Sequence, residues 1–518
     1  MLSIFSNLSP DQEGIGASFL LHNLRTRLCR MWLIASILIG SFFPSACSPE
    51  NTFEETNLTG LIEAGSDAEE LSPAQTARPN YSPGELVEYE AQTGDTLPAL
   101  ASHFNTTVEE IRDANPILPT EVTTLPPGLP MQIPIYYQSL WGSQYQILPD
   151  SLFINGPAQI GFNIVEYIDS QPGWFKDYSH FAGDRVRRGG ELIQHVANNF
   201  SISPRLLISL IEYQTGAVSR ITPPSEDDQY PLGLNDPAHQ GLYRQLVLAA
   251  NILNNSYYDW RTGDLKFFEH NDGRLEIPDP WQNAASVALQ YYFAQTLSRD
   301  EYILATHQDG FYRTYQELFG DPWEADEPHI PGSLQQPEMK LPFEKGYAWA
   351  FTGGPHTGWG EGAPLAALDF APPAVVGGCS PTEEWATAVA SGEVVRTGIA
   401  IVLLDLDGDG YEQTGWVVFY LHLGTKNMAE EGQYLNAGDP VGHPSCEGGR
   451  STGTHVHIAR KYNGEWISAA GPLAFNLESW IAYNGDVPYH GTLEHFGRVV
   501  RACVCSDQLS QIMAGEWE

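Results

Sequence analysis

Two histidines one position apart, His455 and His457, lie in a segment of small and β-branched residues that favours a strand. Side chains on a strand return to the same face at every second residue, so both imidazoles should point to one side of a sheet. Taken alone, such a pair is typical of a solvated sheet surface. It constrains this chain more strongly because His356, Asp369 and His422 precede it on segments with strand or turn character.

These side chains have the composition of a catalytic metal site. Zinc in such sites takes three protein ligands from His and Asp or Glu, and a water in the fourth position has its pKa lowered towards neutrality. One carboxylate and four histidines are enough for three ligands and two proton-transferring groups. The sequence therefore predicts a zinc-dependent hydrolytic site.

The order of the motifs resembles the lysostaphin-type, or LytM-type, zinc endopeptidases of bacterial cell walls, over roughly residues 345–475. The resemblance implies an antiparallel β domain that cuts peptide bonds in peptidoglycan. The site residues that it implies are the zinc ligands His356, Asp369 and His457 and the catalytic residues His422 and His455.

The first motif is long, since thirteen positions separate His356 from Asp369. The glycine-rich insertion at 357–362 can loop out and return the carboxylate to the metal. A Gly-Gly-Pro-His start and a Leu-Asp-Phe end resemble the beta-lytic branch of the family. Glu361, inside the insertion, is the competing ligand. Asp369 is favoured because its neighbours are apolar, and a carboxylate is costly to bury there unless it is paired or coordinated.

The N-terminal segment predicts export. Arginines precede an apolar run at 31–43, which is short for a membrane span but typical of a signal peptide. Cys47 ends a lipobox-like segment, so residues 1–47 are interpreted as a signal peptide whose cysteine is lipidated and anchors the chain to a membrane. Pro44 stands where leucine is usual, which leaves a plain secretory signal as the alternative.

Residues 48–85 are acidic and polar and are interpreted as a disordered linker. Residues 86–137 then predict a strand, two helices and a second strand, with a capping box at Thr107 and Glu110. This segment resembles LysM, a βααβ module that binds N-acetylglucosamine-containing chains in a groove formed by its two strand–helix loops. The glycan-binding candidates carried over are Gly94, Asp95, Thr96, Asn115, Pro116 and Ile117. Turn and cap chemistry is the alternative role for each of them.

Residues 156–320 predict a mostly helical domain, because apolar residues recur at helical spacing in 204–213 and 282–297. The first of these helices resembles the catalytic helix of lysozyme-like transglycosylases. Gln214, however, stands where the acid is expected, and glutamine cannot donate the proton that glycosidic cleavage needs. A non-catalytic lysozyme-like scaffold is therefore favoured, with simple helical packing and a muramidase acting through Glu212 as alternatives.

A proline-rich connector at 321–344 precedes the peptidase domain, which is placed at 345–500. Inside that domain three alternating carboxylates resemble a calcium loop: Asp405, Asp407 and Asp409. Calcium is therefore a second candidate cofactor. The bidentate glutamate that such loops place at their twelfth position is missing, so a solvated hairpin tip is the alternative.

Disulfides are expected in an exported chain. Setting aside the two cysteines of the N-terminal segment leaves Cys379, Cys446, Cys503 and Cys505. Three pairings exist, and Cys379 with Cys446 is preferred because both lie beside strands of the predicted site.

The charge balance excludes one class of partner. With 64 acidic against 26 basic residues, the net charge of -38 opposes binding to a phosphate backbone, so nucleic acid is not expected. The sequence predicts an exported multidomain α+β protein, in which a LysM module, a mostly helical middle domain and an antiparallel β-sheet zinc peptidase domain follow one another. Its partner would be peptidoglycan, whose stem or cross-link peptides it hydrolyses. The alternative is a non-catalytic envelope protein that binds glycan and regulates another wall hydrolase.

Overall fold

The computed structural model describes residues 78–225, 228–374, 376–505 and 507–515. The predicted signal peptide, its Cys47 and most of the predicted linker at 48–85 lie outside these residues. In the part of the chain that is described, no helix is long and apolar enough to cross a membrane.

The first module is an antiparallel strand pair with two helices between its strands. Its elements are β1 (Glu85–Glu90), α1 (Leu97–His103), α2 (Val108–Ala114) and β2 (Pro130–Ile135). The side chains of Thr96 and Thr107 cap the two helices, and Thr107 forms the predicted capping box with Glu110. A small core that includes Leu100 and Phe104 holds the module together.

The middle of the chain is helical and begins slightly before residue 156, at a 3₁₀ turn over Asp150–Leu152. Its helices are α3 (Ile164–Ser170), α4 (Gly189–Phe200), α5 (Pro204–Thr215), α6 (Leu242–Thr262), α7 (Ala284–Thr296), α8 (Arg299–Ala305) and α9 (Phe311–Phe319). Two short hairpins were not predicted: β3 (Ser179–Ala182) with β4 (Arg185–Arg188), and β5 (Phe268–Glu269) with β6 (Leu275–Glu276).

Glu212, the alternative glycosidase acid, has a structural role at the end of α5. Its carboxylate accepts hydrogen bonds from the amides of Val218 and Ser219 and from the Ser219 hydroxyl. These bonds hold the turn that follows the helix and give this glutamate a structural role, so a muramidase acting through Glu212 stays a prediction.

The C-terminal part is built on an antiparallel sheet. Its strands are β7 (Ala348–His356), β8 (Ala367–Ala371), β10 (Gly392–Gly398), β11 (Ile401–Asp405), β12 (Trp416–Leu421), β13 (Tyr434–Leu435), β15 (Val456–Tyr462), β16 (Glu465–Trp466) and β21 (Gln511–Met513). The order across the sheet is β13-β10-β11-β12-β15-β8-β7-β21, and β16 pairs with β15. The sheet therefore continues past residue 500, the expected end of the domain, because β21 returns to pair with β7.

Two smaller sheets accompany it. One pairs β9 (Ala386–Thr387) with β14 (Pro440–Gly442), and the other joins β17 (Asn476–Leu477), β18 (Trp480–Asn484), β19 (Gly491–His495) and β20 (Arg498–Arg501) in that order.

The helical middle and the large sheet share a core. On β12, Val417 and Phe419 pack into the core formed by the helices, while Val418 and Tyr420 pack into a second core on the opposite face. Alternate side chains of a strand point to opposite faces, so the sheet is covered on both sides. The helical middle is thus a layer on the sheet, which we call the helical layer.

The connector predicted at 321–344 is packed against the protein and does not behave as a spacer. Ile330 and Leu334 are buried in a cluster with Trp416 and Ile467 of the C-terminal part. The second core contains three more connector residues: Met339, Leu341 and Phe343. These apolar side chains outweigh the proline-rich composition, because their burial is favourable wherever a matching surface is available.

Candidate metal centre

Adjacent strands of the sheet bring together three side chains that can bind a metal ion. Asp369 lies at the middle of β8, directly opposite His457 of β15, and His356 ends β7 on the other side of β8. The His356 Nε2 atom lies 3.0 Å from His457 Nδ1, and each of these nitrogens lies 3.2 Å from Asp369 Oδ1. The three atoms therefore form a nearly equilateral triangle.

This triangle fits a metal ion. A tetrahedral zinc site with bonds of about 2.1 Å separates its ligand atoms by about 3.4 Å. All three side chains are buried, and Asp369 Oδ1 has no hydrogen-bond donor among the described residues. Leaving a buried acceptor without a partner costs free energy, and a bound cation removes that cost. Two imidazoles and one carboxylate are a donor set that suits zinc.

Backbone carbonyls fix the tautomers of the two ligand histidines. His356 Nδ1 lies 2.8 Å from the carbonyl oxygen of Gly354, and His457 Nε2 lies 3.2 Å from that of Gly358. A carbonyl oxygen can only accept, so each of these nitrogens carries the proton. In the neutral imidazole, the opposite nitrogen of each ring, which faces Asp369, presents a lone pair, as metal ligation requires.

The two predicted catalytic histidines are held in the same way. His422 Nδ1 lies 2.8 Å from the carbonyl oxygen of Glu447, and His455 Nδ1 lies 2.8 Å from that of Gly453. Their ring centroids are 4.5 Å apart, and His455 Nε2 lies 3.6 Å from Asp369 Oδ1. Burial, together with the neighbouring imidazoles, lowers the pKa of His422 to about 3. His422 is therefore neutral and presents an unprotonated Nε2.

The loop that carries Cys446 holds His422. His422 has a φ of 62°, in the left-handed region that residues other than glycine rarely adopt. Its carbonyl oxygen accepts the Ser445 amide at 2.6 Å, and its imidazole donates to Glu447. Cys446, between these two residues, is bonded to Cys379, which is the preferred pairing, while Cys503 is bonded to Cys505. The Cys379–Cys446 disulfide therefore ties down the loop that orients His422.

Gly353 makes room for the ligand carboxylate. It is paired with Asp369 across β7 and β8, and a Cβ atom at this position would lie 2.5 Å from Asp369 Oδ2. Its φ lies outside the left-handed region, so the requirement is for space and not for backbone conformation. This contact gives a physical reason for the first glycine of the Gly-Gly-Pro-His motif.

The metal centre lies on the face of the sheet that the helical layer covers. Along β15, His457 shares its face with Ala459, which packs into the core of the helical layer. The insertion at 357–362 lies between the centre and this layer: the Glu361 amide donates to Asn251 Oδ1 of α6 at 2.8 Å. Glu361, the competing ligand, is not part of the ligand group of His356, Asp369 and His457. Burial raises the pKa of its carboxyl group.

Tyr489 was not singled out from the sequence. Its ring stacks on His356 with centroids 4.1 Å apart, and its carbonyl oxygen accepts the Gly354 amide. Burial, followed by the charges of Asp369 and Glu361, raises the pKa of its hydroxyl to about 12, so the hydroxyl keeps its proton. No local signal distinguishes this residue from the other tyrosines, because its position depends on the loop between β18 and β19.

Several glycan-binding candidates have structural roles inside the first module. Asp95 accepts hydrogen bonds from the Tyr89 hydroxyl and the Gln92 amide, and burial raises its pKa to about 6. Thr96 caps α1, and the buried Asn115 joins the backbones of α2 and β2. These three residues therefore have turn and cap roles in the module, and their contact with glycan stays a prediction.

The remaining candidates differ from one another. Gly94 has a φ of 77° and lies against the Arg261 guanidinium of α6. Pro116 and Ile117 are exposed at the end of α2. Gly94 is thus half-buried, as are Asp95 and Thr96 of the same loop, whereas Pro116 and Ile117 are open to solvent.

The acidic hairpin tip brings its carboxylates together. Ligand oxygens of Asp405, Asp407 and Asp409 all lie within 4.8 Å of one another. Asp405 is buried, and its oxygens accept the amides of Asp407 and Gly410. These bonds stabilise the hairpin by themselves, so calcium stays a prediction.

Comparison with known proteins agrees with this arrangement. A family model described as LasA, N-terminal domain, matches residues 146–333, which include the segment interpreted as lysozyme-like, and the LysM domain model matches residues 89–134. Protease LasA of Pseudomonas aeruginosa (strain UCBPP-PA14) is 25% identical over 342 residues, which cover 62% of this chain and 75% of that protein. Beta-lytic metalloendopeptidase of Lysobacter enzymogenes is 28% identical over 151 residues, 26% of this chain and 74% of that protein.

Among solved structures, the M23 metalloprotease pseudoalterin from the deep sea is 26% identical, covers 32% of this chain and 96% of its own, and superposes with a TM-score of 0.28. The His-Asp-His group and the sequence relatives define a metallopeptidase. The chain is similar to LysM-containing metallopeptidases of the LytM type, with relatives among the LasA and beta-lytic enzymes.

Proposed function

We propose that the protein is an exported zinc metalloendopeptidase that binds peptidoglycan through its LysM module and hydrolyses stem or cross-link peptides. One observation carries the proposal: three ligand atoms lie 3.0 to 3.2 Å apart, beside two further imidazoles whose Nδ1 atoms donate to backbone carbonyls. The LysM match and the relationship to a beta-lytic enzyme support peptidoglycan as the substrate.

His356, Asp369 and His457 would hold the ion through Nε2, Oδ1 and Nδ1. Bound zinc supplies a Lewis acid that polarises the scissile carbonyl and lowers the pKa of a water. His455 Nε2, 3.6 Å from Asp369 Oδ1, would be placed to accept a proton from an attacking water. The Gly453 carbonyl stabilises the resulting imidazolium, because it already accepts from Nδ1.

His422 would act as the second proton carrier. Its Nε2 has no proton at rest, so it cannot donate a hydrogen bond to an oxyanion before a proton arrives. Delivery to the leaving amine of the proton that the attacking water loses, received by way of the neighbouring His455 ring, is therefore favoured over oxyanion stabilisation. Tyr489, whose ring stacks on His356, keeps its hydroxyl proton and would be a candidate hydrogen-bond donor.

The N-terminal pattern and the disulfides support export. The protein would act in the cell envelope or outside the cell, and lipidation of Cys47 would anchor it to the membrane. Mass spectrometry of the mature chain would show a diacylated N-terminal cysteine; an unmodified N-terminus at another residue would indicate plain secretion.

Digestion of purified peptidoglycan sacculi tests the activity. The full chain should release new amino termini without new reducing sugars, and Asp369→Ala should release neither. New reducing sugars would point to a glycosidase, and no product from the zinc-loaded wild type would favour the non-catalytic alternative.

A further inference from the structure

The LysM loops expected to form the glycan groove lie next to each other. The first, residues 91–96, joins β1 to α1, and the second, residues 115–129, joins α2 to β2. The Leu125 amide donates to the Asp95 carbonyl at 2.8 Å, and the Gly128 amide donates to the Ala91 carbonyl at 2.8 Å. A ligand lying in the groove must therefore cross both loops.

Residues 329–336 of the connector, called here the connector segment, already cross both loops. In the first loop, the Thr93 hydroxyl oxygen accepts the Ile330 amide at 3.0 Å. In the second, the Ser333 amide donates to the Thr124 carbonyl at 2.8 Å, and the Leu334 amide donates to the Thr124 hydroxyl oxygen at 3.0 Å. Two further bonds run from LysM hydroxyls to connector carbonyls: Thr124 to Pro331 and Thr123 to Leu334.

The two backbones approach closely at Gly332. A Cβ atom at this position would lie 2.7 Å from the Cα atom and 2.8 Å from the backbone nitrogen of Pro126 in the second loop. Its φ lies outside the left-handed region, so the ring and backbone of Pro126, and not backbone conformation, exclude a side chain. The connector segment is thus seated on the loops as a ligand would be.

On its other side, the connector segment is bound to the C-terminal part built on the large sheet, called here the peptidase part. His329 Nε2 lies 2.6 Å from Glu465 Oε2, and Asn463 Nδ2 donates to the His329 carbonyl at 2.6 Å. At the other end, the Gln336 side chain accepts from the buried Arg460 guanidinium. Between these points Ile330 and Leu334 are buried against the peptidase part, as described above.

Arg261 of α6 links the first LysM loop to this junction. Its guanidinium donates to the Thr93 carbonyl and lies 3.2 Å from carboxylate oxygens of both Glu465 and Asp150. The Arg261 side chain therefore joins the LysM module, the helical layer and the peptidase part. It contacts Glu465, the same carboxylate that binds His329.

We propose that the connector segment is an internal occupant of the LysM groove, so that glycan and connector compete for it. A chain of N-acetylglucosamine units lying across both loops must displace Ser333 and Leu334 from Thr124. Because these residues are continuous with His329 and Gln336, the displacement also strains the bonds to Glu465 and Arg460. Glycan binding thereby loosens the junction between the LysM module and the peptidase part. This inference rests on the proposed glycan-binding function of the module.

Binding of chitohexaose to the full chain, measured by calorimetry, tests the competition. Gly332→Ala adds a methyl group that the Pro126 backbone cannot accommodate, yet it alters no LysM residue. It should bind the glycan about tenfold more tightly than the wild type, because the competing segment is released. Gln335→Ala, an exposed change in the same segment, should bind as the wild type does.

Amide hydrogen exchange of the wild type provides a second measurement that needs no variant. Saturating chitohexaose should speed exchange at Ser333 and Leu334 by about tenfold or more, since both amides lose their LysM acceptors. Equal glycan affinity in all three chains, with exchange unchanged at saturation, would overturn the competition and leave glycan binding intact. Absence of binding in every chain, including Gly332→Ala, would reject the glycan-binding function and the competition together.

Discussion

Asp369 and His457 are direct partners in the β8–β15 ladder, and their ligand atoms lie 3.2 Å apart. The third ligand-type residue, His356, comes from the strand on the other side of β8. The centre is therefore set by the register of three adjacent strands. A slip of one residue would turn Asp369 to the opposite face and abolish the site.

Replacing the central carboxylate should remove the metal. Asp369→Ala leaves two imidazoles, which hold zinc poorly, so zinc content after dialysis should fall well below one equivalent by elemental analysis. Glu361→Ala is the matched control and should keep its zinc, because Glu361 lies outside the ligand group. If Asp369→Ala retains zinc and Glu361→Ala loses it, the third ligand would be Glu361 of the insertion and not Asp369.

A change that removes no ligand should also weaken the site. Gly353→Ala places a methyl group 2.5 Å from Asp369 Oδ2 and must shift the carboxylate. Zinc affinity, measured by competition with a chelator, should fall by roughly 10- to 100-fold. Gly398→Ala on β10, where the new Cβ would lie 3.6 Å from Ile401, should leave it unchanged. Equal affinity of the two variants would show that Gly353 is not required for the carboxylate position.

The two proton-carrying histidines should separate metal binding from turnover. His422→Ala and His455→Ala keep all three ligands, so each should bind zinc normally while kcat falls by roughly two orders of magnitude. His307→Ala, on the helical layer, is the control. Normal turnover in either active-site variant would remove that histidine from the mechanism.

A buried ion cluster should make the protein sensitive to acid. Burial alone would raise the pKa of Glu412, but Arg396 and Lys461 bring it down to about 2, from an ordinary value of 4.5. The folded pKa is depressed, so the stabilisation is complete above pH 4.5 and is lost as pH falls through 2. Urea unfolding should show a smaller loss over this range in Glu412→Gln than in the wild type.

The same variant should already be less stable at pH 7, by about 3 to 5 kcal/mol, because Arg396 and Lys461 lose their buried counter-ion. Glu431→Gln, an exposed change on the same domain, should follow the wild-type curve. Parallel pH curves for the wild type and Glu412→Gln would rule out Glu412 as a source of the acid sensitivity.

Local patterns predicted the parts of the site that depend on local geometry. The two-residue period of a strand was enough to place His455 and His457 on one face, and both lie near Asp369. Helix caps at Thr96 and Thr107 depend on neighbouring amides only, so the capping box could be predicted as well.

Features that depend on distant pairing could not be predicted in this way. Tyr489 reaches His356 through the loop between β18 and β19, and nothing in its surrounding sequence indicates that contact. The helical layer did leave a signal: all six residues of β12 are apolar and buried, which is typical of a strand covered on both faces. The packing of Ile330 and Leu334 depends on a matching surface more than eighty residues further along the chain.

The carbonyl groups that fix the four imidazoles belong to Gly354, Gly358, Glu447 and Gly453. A main-chain oxygen survives every substitution of its own residue, so mutating these positions one at a time cannot delete the acceptor. Insertions, deletions or altered turn geometry could do so, by carrying the oxygen away from its ring. The tautomers of these histidines therefore depend on the length and shape of the loops that carry the carbonyl groups. A comparison of related sequences by side-chain identity alone would not detect this dependence.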